Sequence, residues 1–387
     1  MTNLKDSGVY WLGEVAANFD IVPSTILFRE RSEKNLEDDI HLTPSQKYGV
    51  LPQDKYQEIT GGKVMQKLSD SDMKHVESND FVIHLRSFQG GIERSQIRGK
   101  VSTAYTVLEP RDGVFTGYWR YFMKSAPFIE GMASSTNQLR DGQTINYARF
   151  SRLKLLRPPL ETQRRIADYL DKETSEMDAL IDEFERLVRE LEIRKLLLPD
   201  SKTNHQGASV PTVPAKLLTR ITTGEGDTQD AIEDGEFPFY VRSDTVRTSD
   251  KWTFEGPSVL TSGDGAGVGK IFHFVEGKFR AHQRVYVLRN FTRVDPKYFY
   301  WCFRTNFPRQ VEHGGAKATV ESVRMNMVAD TPIPLPPLDK QREIAEELDL
   351  EFERMDTLIE ESSRLIENLK ARKTALITEV VTGRKEV

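Results

Sequence analysis

At 387 residues the chain is long enough for two or three domains; 38% hydrophobic residues supply real cores, and 29% charged residues point to long solvated helices. No apolar run approaches about 18 residues, the start MTNLKDSGVYWLGEV lacks a basic-then-apolar leader, and the single Cys302 excludes an intrachain disulfide, so a soluble cytoplasmic protein without a membrane partner is expected. The net charge of −5 is unevenly spread, at +2, −4, +1 and −4 over residues 1–157, 158–199, 200–335 and 336–387, which leaves two mildly basic blocks able to meet phosphate and two acidic segments needing another task.

In the first block DFVIHL (80–85) and TAYTVLEP (103–110) read as strands, with the Gly-rich GGIERSQIRGK (90–100) between them. The aromatic run GYWRYFMKS (117–125) reads as a helix whose rings pack in a core rather than stack on bases. Arg86, Arg94 and Arg98 near the turns, and Asn137, Arg140 and Asn146 in SSTNQLRDGQTIN (134–146), are candidate DNA contacts. Arginine can hold guanine bidentately and asparagine or glutamine adenine, each pair discriminating by about 1–3 kcal/mol. For each of these residues the plainer alternative is a solvated surface side chain.

A long acidic helix is expected from PPLETQRRIADYLDKE at Pro158, with proline at its start and Glu161 in the first turn. Leu170, Met177, Phe184, Leu191 and Leu198 recur every seven residues, Leu180 and Leu187 fill the intervening positions, and Ile181 and Val188 broaden the stripe. This is a coiled-coil pattern, and some 36 residues make a rod of roughly 54 Å. The polar LPDSKTNHQGASVPTVP (198–214) reads as a linker.

In the second block GDGAGVGK (263–270) fails as a phosphate loop, because Asp264 would take the place of the first glycine and Ile271 that of the Ser/Thr. It fails as a dinucleotide fingerprint too, since Lys270 stands where the last glycine belongs, and a turn between strands is the simpler reading. GKIFHFV (269–275) and QRVYVLR (283–289) read as strands and PKYFYWCFR (296–304) as an aromatic helix, in the order seen in the first block. Lys270, Arg280, Gln283 and Arg284, with Lys317 and Thr319 in EHGGAKATVES (312–322), are the matching DNA-contact candidates.

PPLDKQREIAEELDLE at Pro336 repeats the first helix opening, and the two copies align without a gap to Arg194–Lys195 and Arg372–Lys373. Identical pairs include Gln163/Gln341, Ile166/Ile344, Leu170/Leu348 and Leu187/Leu365. Leu348, Met355, Leu369 and Leu376, with Leu358 and Leu365, form the second seam, while Ser362 stands where Phe184 stands in the first. The apolar arc is wider than a two-helix seam, so Gln163, Ile166, Leu170, Gln341, Ile344 and Leu348 are candidates for binding helices of another subunit; an intramolecular spacer is the alternative. The chain thus reads as block–helix–block–helix, of α+β class, with divisions at 1–157, 158–199, 200–335 and 336–387. If the helices pair antiparallel as a coiled coil, the blocks are related by a pseudo-two-fold axis. No metal-ligand spacing, nucleophile elbow or Asn-Pro-Pro-Tyr of an adenine methyltransferase is present, so no catalytic or metal residue is assigned.

The Pro-Pro-Leu-x-x-Gln-x-x-Ile-Ala opening of each helix, ending in Arg-Lys, resembles the two conserved regions of type I restriction–modification specificity (S) subunits. SGVYWLGEV is similar to their N-terminal signature, and GGIERS with AYTVLEP, and DGAGVGK with AHQRVYVLR, to segments of their two target-recognition domains. The resemblance covers essentially the whole chain, although VPAKLLTRI rather than a second WLGEV precedes the second block. It implies that each domain reads one half of a bipartite, asymmetric DNA site and that the helices set the unread spacer. It implies as partners double-stranded DNA, two modification subunits, which supply S-adenosylmethionine-dependent adenine methylation, and restriction subunits with ATP, Mg2+ and cleavage; this chain would bind no cofactor. A coiled-coil scaffold without DNA affinity, and a stand-alone methyltransferase or nuclease, are the competing classes.

Overall fold

The computed structural model describes residues 3–61, 73–84, 91–134, 146–204, 210–313 and 323–387. The chain divides into two compact units, one made of Met1–Phe184 with Leu365–Val387, the other of Glu185–Arg364.

The first unit is built on a four-stranded antiparallel sheet in the order Phe28–Glu30, Thr106–Pro110, Phe81–Ile83, Ile92–Arg94. The helix Thr116–Phe122 packs on it with Tyr118, Trp119 and Phe122 fully buried, and Trp119 meets Phe28 edge-on at 5.1 Å. The aromatic run is therefore core, each such ring contributing about 1.5–3 kcal/mol by burial. A second ribbon pairs Asp20–Pro23 with Lys154–Arg157 and leads into the first long helix, Leu160–Thr203.

The second unit repeats the plan. Its sheet runs Arg220–Thr223, Val285–Arg289, Ser258–Ser262, Phe272–Val275, again antiparallel throughout. The helix Pro296–His313 buries Tyr298, Phe299, Phe303 and Phe307, with Phe303 stacked on Phe307 at 4.9 Å. Cys302 lies in the same core, fully buried, and burial pushes its thiol up to about 12. The ribbon Thr212–Pro214 with Pro332–Pro334 precedes the second long helix, Leu338–Val381, so the proline-rich approach is an edge pair in which prolines replace no needed donor. This unit adds a further sheet of Arg247–Ser249, Phe237–Tyr240, Lys278–Ala281 and Phe254–Glu255.

Within each unit the two long helices run antiparallel. In the first, Leu170 and Met177 share a core with Leu376, Ile377, Val380 and Val381, and Lys373 Nζ reaches both oxygens of Asp178 at 2.6 Å. In the second, Leu191 shares a core with Leu348, Phe352 and Met355, and Arg194, Lys195 and Lys202 pair with Glu351, Asp356 and Glu347. The first helix does not stop at Leu198, where the linker was expected to begin. It carries Pro199 in its last turn, where Thr203 Oγ donates to the Pro199 carbonyl at 2.8 Å. Ser362 is buried, so the seam residue that breaks the apolar pattern still packs inside.

Candidate nucleic-acid interface

Arg94 lies on the fourth strand of the first sheet and Lys270 in the turn joining the third and fourth strands of the second, while Arg98, Arg280, Gln283 and Arg284 lie on neighbouring segments. In the first unit Arg94 ends the edge strand and donates through Nη1 to Thr116 Oγ at 3.5 Å, while Thr116 donates to Asn79 Oδ1 at 3.1 Å. Burial, with Arg120 nearby, holds the Arg94 guanidinium below its ordinary value. Beside it, burial pushes the Glu93 carboxyl up to about 7 although Lys124 pairs with it, and burial lowers His84 to about 4. Arg98 spends Nε on Asp39 at 3.0 Å and Nη2 on Asp38 at 2.6 Å. Asn146 is exposed, but its side chain accepts the Arg149 amide at 3.1 Å and caps the turn Tyr147–Phe150. Arg86, Asn137 and Arg140 lie outside the described residues.

In the second unit Ser258–Ser262 turns through Gly263–Lys270 into Phe272–Val275, so the glycine-rich run is a turn within a hairpin, with a single 3-10 turn at Gly265–Gly267. Lys270 is exposed in that turn. Gln283 and Arg284 are exposed just before Val285–Arg289, and Arg284 meets Asp264 with Nε 3.7 Å from Oδ2. Arg242, which the sequence reading missed, donates through Nη1 to the other oxygen of Asp264 at 3.0 Å. Nothing local marked Arg242; it follows the strand Phe237–Tyr240, far from the glycine turn in sequence. His282 accepts the Arg284 amide on Nδ1 at 3.0 Å, and burial, then Arg242, lowers its pKa. Lys317 and Thr319 lie outside the described residues.

Arg280 requires a correction. Its side chain is only 14% exposed, donates to Asp230 Oδ2 at 2.7 Å and to Ser249 Oγ at 3.3 Å, and lies over the Phe239 ring. With so little surface left, Arg280 reads as a structural arginine, whereas Arg98, also paired with two carboxylates, keeps 41% of its side chain exposed.

The six residues expected to touch another subunit also require correction. Gln163, Ile166, Leu170, Gln341, Ile344 and Leu348 are 0–3% exposed inside the chain's own cores, which leaves no surface for a partner. The two glutamines are latches. Gln163 Oε1 accepts the Phe115 amide at 2.9 Å, and its Nε2 donates to the carbonyls of Pro158 at 2.9 Å and Gly113 at 3.1 Å. Gln341 Oε1 accepts the Asp295 amide at 2.8 Å and its Nε2 donates to the Pro336 carbonyl at 2.8 Å. Each ties the first turn of a long helix to the loop that starts an aromatic helix. The apolar side chains that remain exposed on the long helices are others: Leu160, Leu180 and Leu365 in the first unit, and Ile193, Leu196, Leu197, Leu338, Leu350 and Leu358 in the second.

Among the described residues no cluster of His, Cys, Asp or Glu could hold a metal ion, and no helix is long and apolar enough to cross a membrane.

Comparison with known proteins places this architecture. Residues 220–368 match the family described as the type I restriction modification DNA specificity domain. The chain is 28% identical over 172 residues to the type I restriction enzyme EcoDI specificity subunit of Escherichia coli, a match covering 44% of this chain and 38% of that subunit. It thus spans well under half the length of the curated relative it matches. Among solved structures, a chain from work on complex assembly and conformational transition of the type I R-M system superposes with a TM-score of 0.71 at 15% identity, over 95% of this chain and 98% of that one. The HsdS subunit from Thermoanaerobacter tengcongensis superposes with a TM-score of 0.60 at 14% identity, over 96% and 98% of the two chains. At such identities the likeness is one of fold, and it extends over nearly the whole chain. Residues 220–368 are thus similar to the type I restriction modification DNA specificity domain, and the chain as a whole shares the fold of these two solved structures.

Proposed function

We propose that the chain is the sequence-specific DNA-binding subunit of a type I restriction–modification complex, acting in the cytoplasm on double-stranded DNA. Residues 1–157 and 200–335 are the two target-recognition domains, each reading one half of a bipartite, asymmetric site; 158–199 and 336–387 set the spacer and receive two modification subunits. The observation that carries this reading is the duplicated sheet-and-aromatic-helix plan, identical in strand order and unlike in the side chains of its turns. A duplicated scaffold with diverged turns suits two readers of different half-sites. Arg94 and Arg98 in the first domain, and Lys270, Gln283 and Arg284 in the second, are the candidate contacts, joined by Arg86, Asn137, Asn146, Arg140, Lys317 and Thr319 from the flanking loops. The exposed leucines and isoleucines of the long helices, in place of the six buried residues, offer the surface for modification subunits. The chain supplies no catalytic group: S-adenosylmethionine is bound by the modification subunits, ATP and Mg2+ by the restriction subunits.

The test is binding of the full chain to duplex DNA across a salt series. Affinity should fall linearly in log–log form with a slope of about −0.9 for each phosphate neutralised. A chain that binds its protein partners but no duplex at low salt would be a scaffold.

A further inference from the structure

We infer that Arg242 and Arg284, bridged by Asp264, form the guanine-reading element of the second recognition domain, with Asp264 as its positioning residue. The inference rests on the DNA-reading role proposed above and assigns chemistry within it.

The three residues come from three segments. Arg242 follows the strand Phe237–Tyr240, Asp264 lies in the glycine turn, and Arg284 precedes the strand Val285–Arg289. Missing side chains let these segments close up. A Cβ on Gly263 would stand 2.8 Å from the Arg284 carbonyl oxygen and 3.1 Å from the Tyr286 ring. A Cβ on Gly267 would stand 2.9 Å from the Arg242 carbonyl oxygen and 2.4 Å from Ile271 Cδ1. Both arginine-bearing backbones therefore press on the turn where only glycine fits. Hydrogen bonds fix the arrangement: the Gly263 amide donates to the Arg284 carbonyl at 2.7 Å, the Arg284 amide to His282 Nδ1 at 3.0 Å, and Ser262 Oγ to the Asp264 carbonyl at 2.9 Å. The glycine run that fails as a phosphate loop thus has a purpose, which is to seat one carboxylate between two guanidiniums.

Exposure divides the roles. The Asp264 side chain is 20% exposed, against 47% for Arg242 and 64% for Arg284. The carboxylate is inside and the cations are outside. Arg242 meets Asp264 through Nη1 and Arg284 through Nε, so Nε and Nη2 of the first, and both terminal nitrogens of the second, are directed elsewhere. Arg98 differs, since Nε and Nη2 both rest on carboxylates.

Charge decides between phosphate and base. A carboxylate beside a phosphate site repels the ligand and cancels the attraction that phosphate binding depends on. Guanine offers neutral acceptors, O6 and N7, and rewards a guanidinium whose plane is already set. A charge-compensated pair, with Arg242 oriented by its hydrogen bond to Asp264 and Arg284 held near it by the 3.7 Å ion pair, suits guanine edges in the major groove.

The full-length chain is used to select from a randomised duplex pool, with wild type, Asp264→Asn, Arg242→Lys and Arg284→Lys compared by sequencing of bound DNA. Wild type should enrich a two-part motif with guanine at one or two positions of one half. Each lysine variant keeps the charge and loses the planar fork, so preference for guanine there should fall on the order of tenfold to a hundredfold, while the other half of the motif is unchanged. Asp264→Asn should relax the same positions and at the same time strengthen binding to unselected duplex, because a repelling charge is gone. A structural role for Asp264 would not produce that gain. Enrichment of the same motif, guanines intact, by both lysine variants would overturn the inference and leave the functional reading standing. Enrichment of no motif by wild type would overturn the functional reading itself. A folding defect in Asp264→Asn leaves the lysine variants, whose effect on the guanines decides the matter alone.

Discussion

His75 is 2% exposed and lies between two carboxylates, with Nδ1 2.7 Å from Asp39 Oδ2 and Nε2 2.9 Å from Glu77 Oε1. Burial works against the imidazolium, but the bonds to Asp39 and Glu77 more than offset it, and the pKa is raised. Folded protein then holds this proton more tightly than unfolded protein does. The stabilisation is complete below the unfolded value of about 6.5 and is lost as pH rises through the raised folded value. Glu93, pushed up to about 7, acts with the same sign, because the folded chain binds its proton where the unfolded chain has released it. His84, His273 and His282, whose pKa values burial lowers, act with the opposite sign up to the unfolded value of about 6.5. The test is therefore a comparison: between roughly pH 6 and pH 8 the denaturation midpoint of His75→Gln should decline less, or rise more, than that of wild type. An identical pH slope in the variant would show that His75 is not protonated in the folded state. None of this was legible in the sequence, since Asp39 and His75 stand far apart along the chain and only the fold brings them together.

At the scale of elements the repeat did most of the work. Two copies of Pro-Pro-Leu-x-x-Gln announced both long helices, and the aromatic runs announced the helices that pack on each sheet, because periodicity and proline act locally. The glutamine of the repeat was read as a contact for another protein, and that was wrong for a physical reason. A polar residue on an apolar stripe has the same spacing whether it faces a partner or satisfies buried backbone within the chain. Gln341 does the latter, and Asp295, whose amide it accepts, itself accepts the Lys297 and Tyr298 amides at 3.0 Å and so caps the aromatic helix. Gln341→Leu would strand a buried amide and a carbonyl at a helix junction. The expected loss is about 1–3 kcal/mol in urea or guanidinium denaturation. A loss under about 0.5 kcal/mol, the scale of a neutral surface change, would show the latch to be idle. The DNA-contact candidates were less legible because a turn arginine looks the same free or spent: Arg280 is spent on Asp230, and Arg242 gave no signal at all.

For the whole molecule, the segmental charge seen in the sequence now has a place. The acidic segments are the long helices, whose acids pair in part across the seam with Lys373, Arg194, Lys195 and Lys202. If these helices act as the ruler of the proposed function, inserting about four residues in each, roughly 6 Å of helix, should lengthen the spacer of the recognised site, as read from methylated adenines in cells carrying the complete system. An unchanged spacer would refute the ruler. The first unit has a further property: it is discontinuous. Its core takes Leu376, Ile377, Val380 and Val381 from the end of the chain, Tyr118 donates to the Val381 carbonyl at 2.9 Å, and Arg384 donates to the carbonyls of Leu12 and Glu14. On the ribosome, where domains ordinarily mature from the N-terminus onward, the order is therefore inverted. The later-translated unit can close as soon as its own residues emerge, while the earlier one waits, its hydrophobic interior unfinished, until Leu376, Ile377, Val380 and Val381 have also been made.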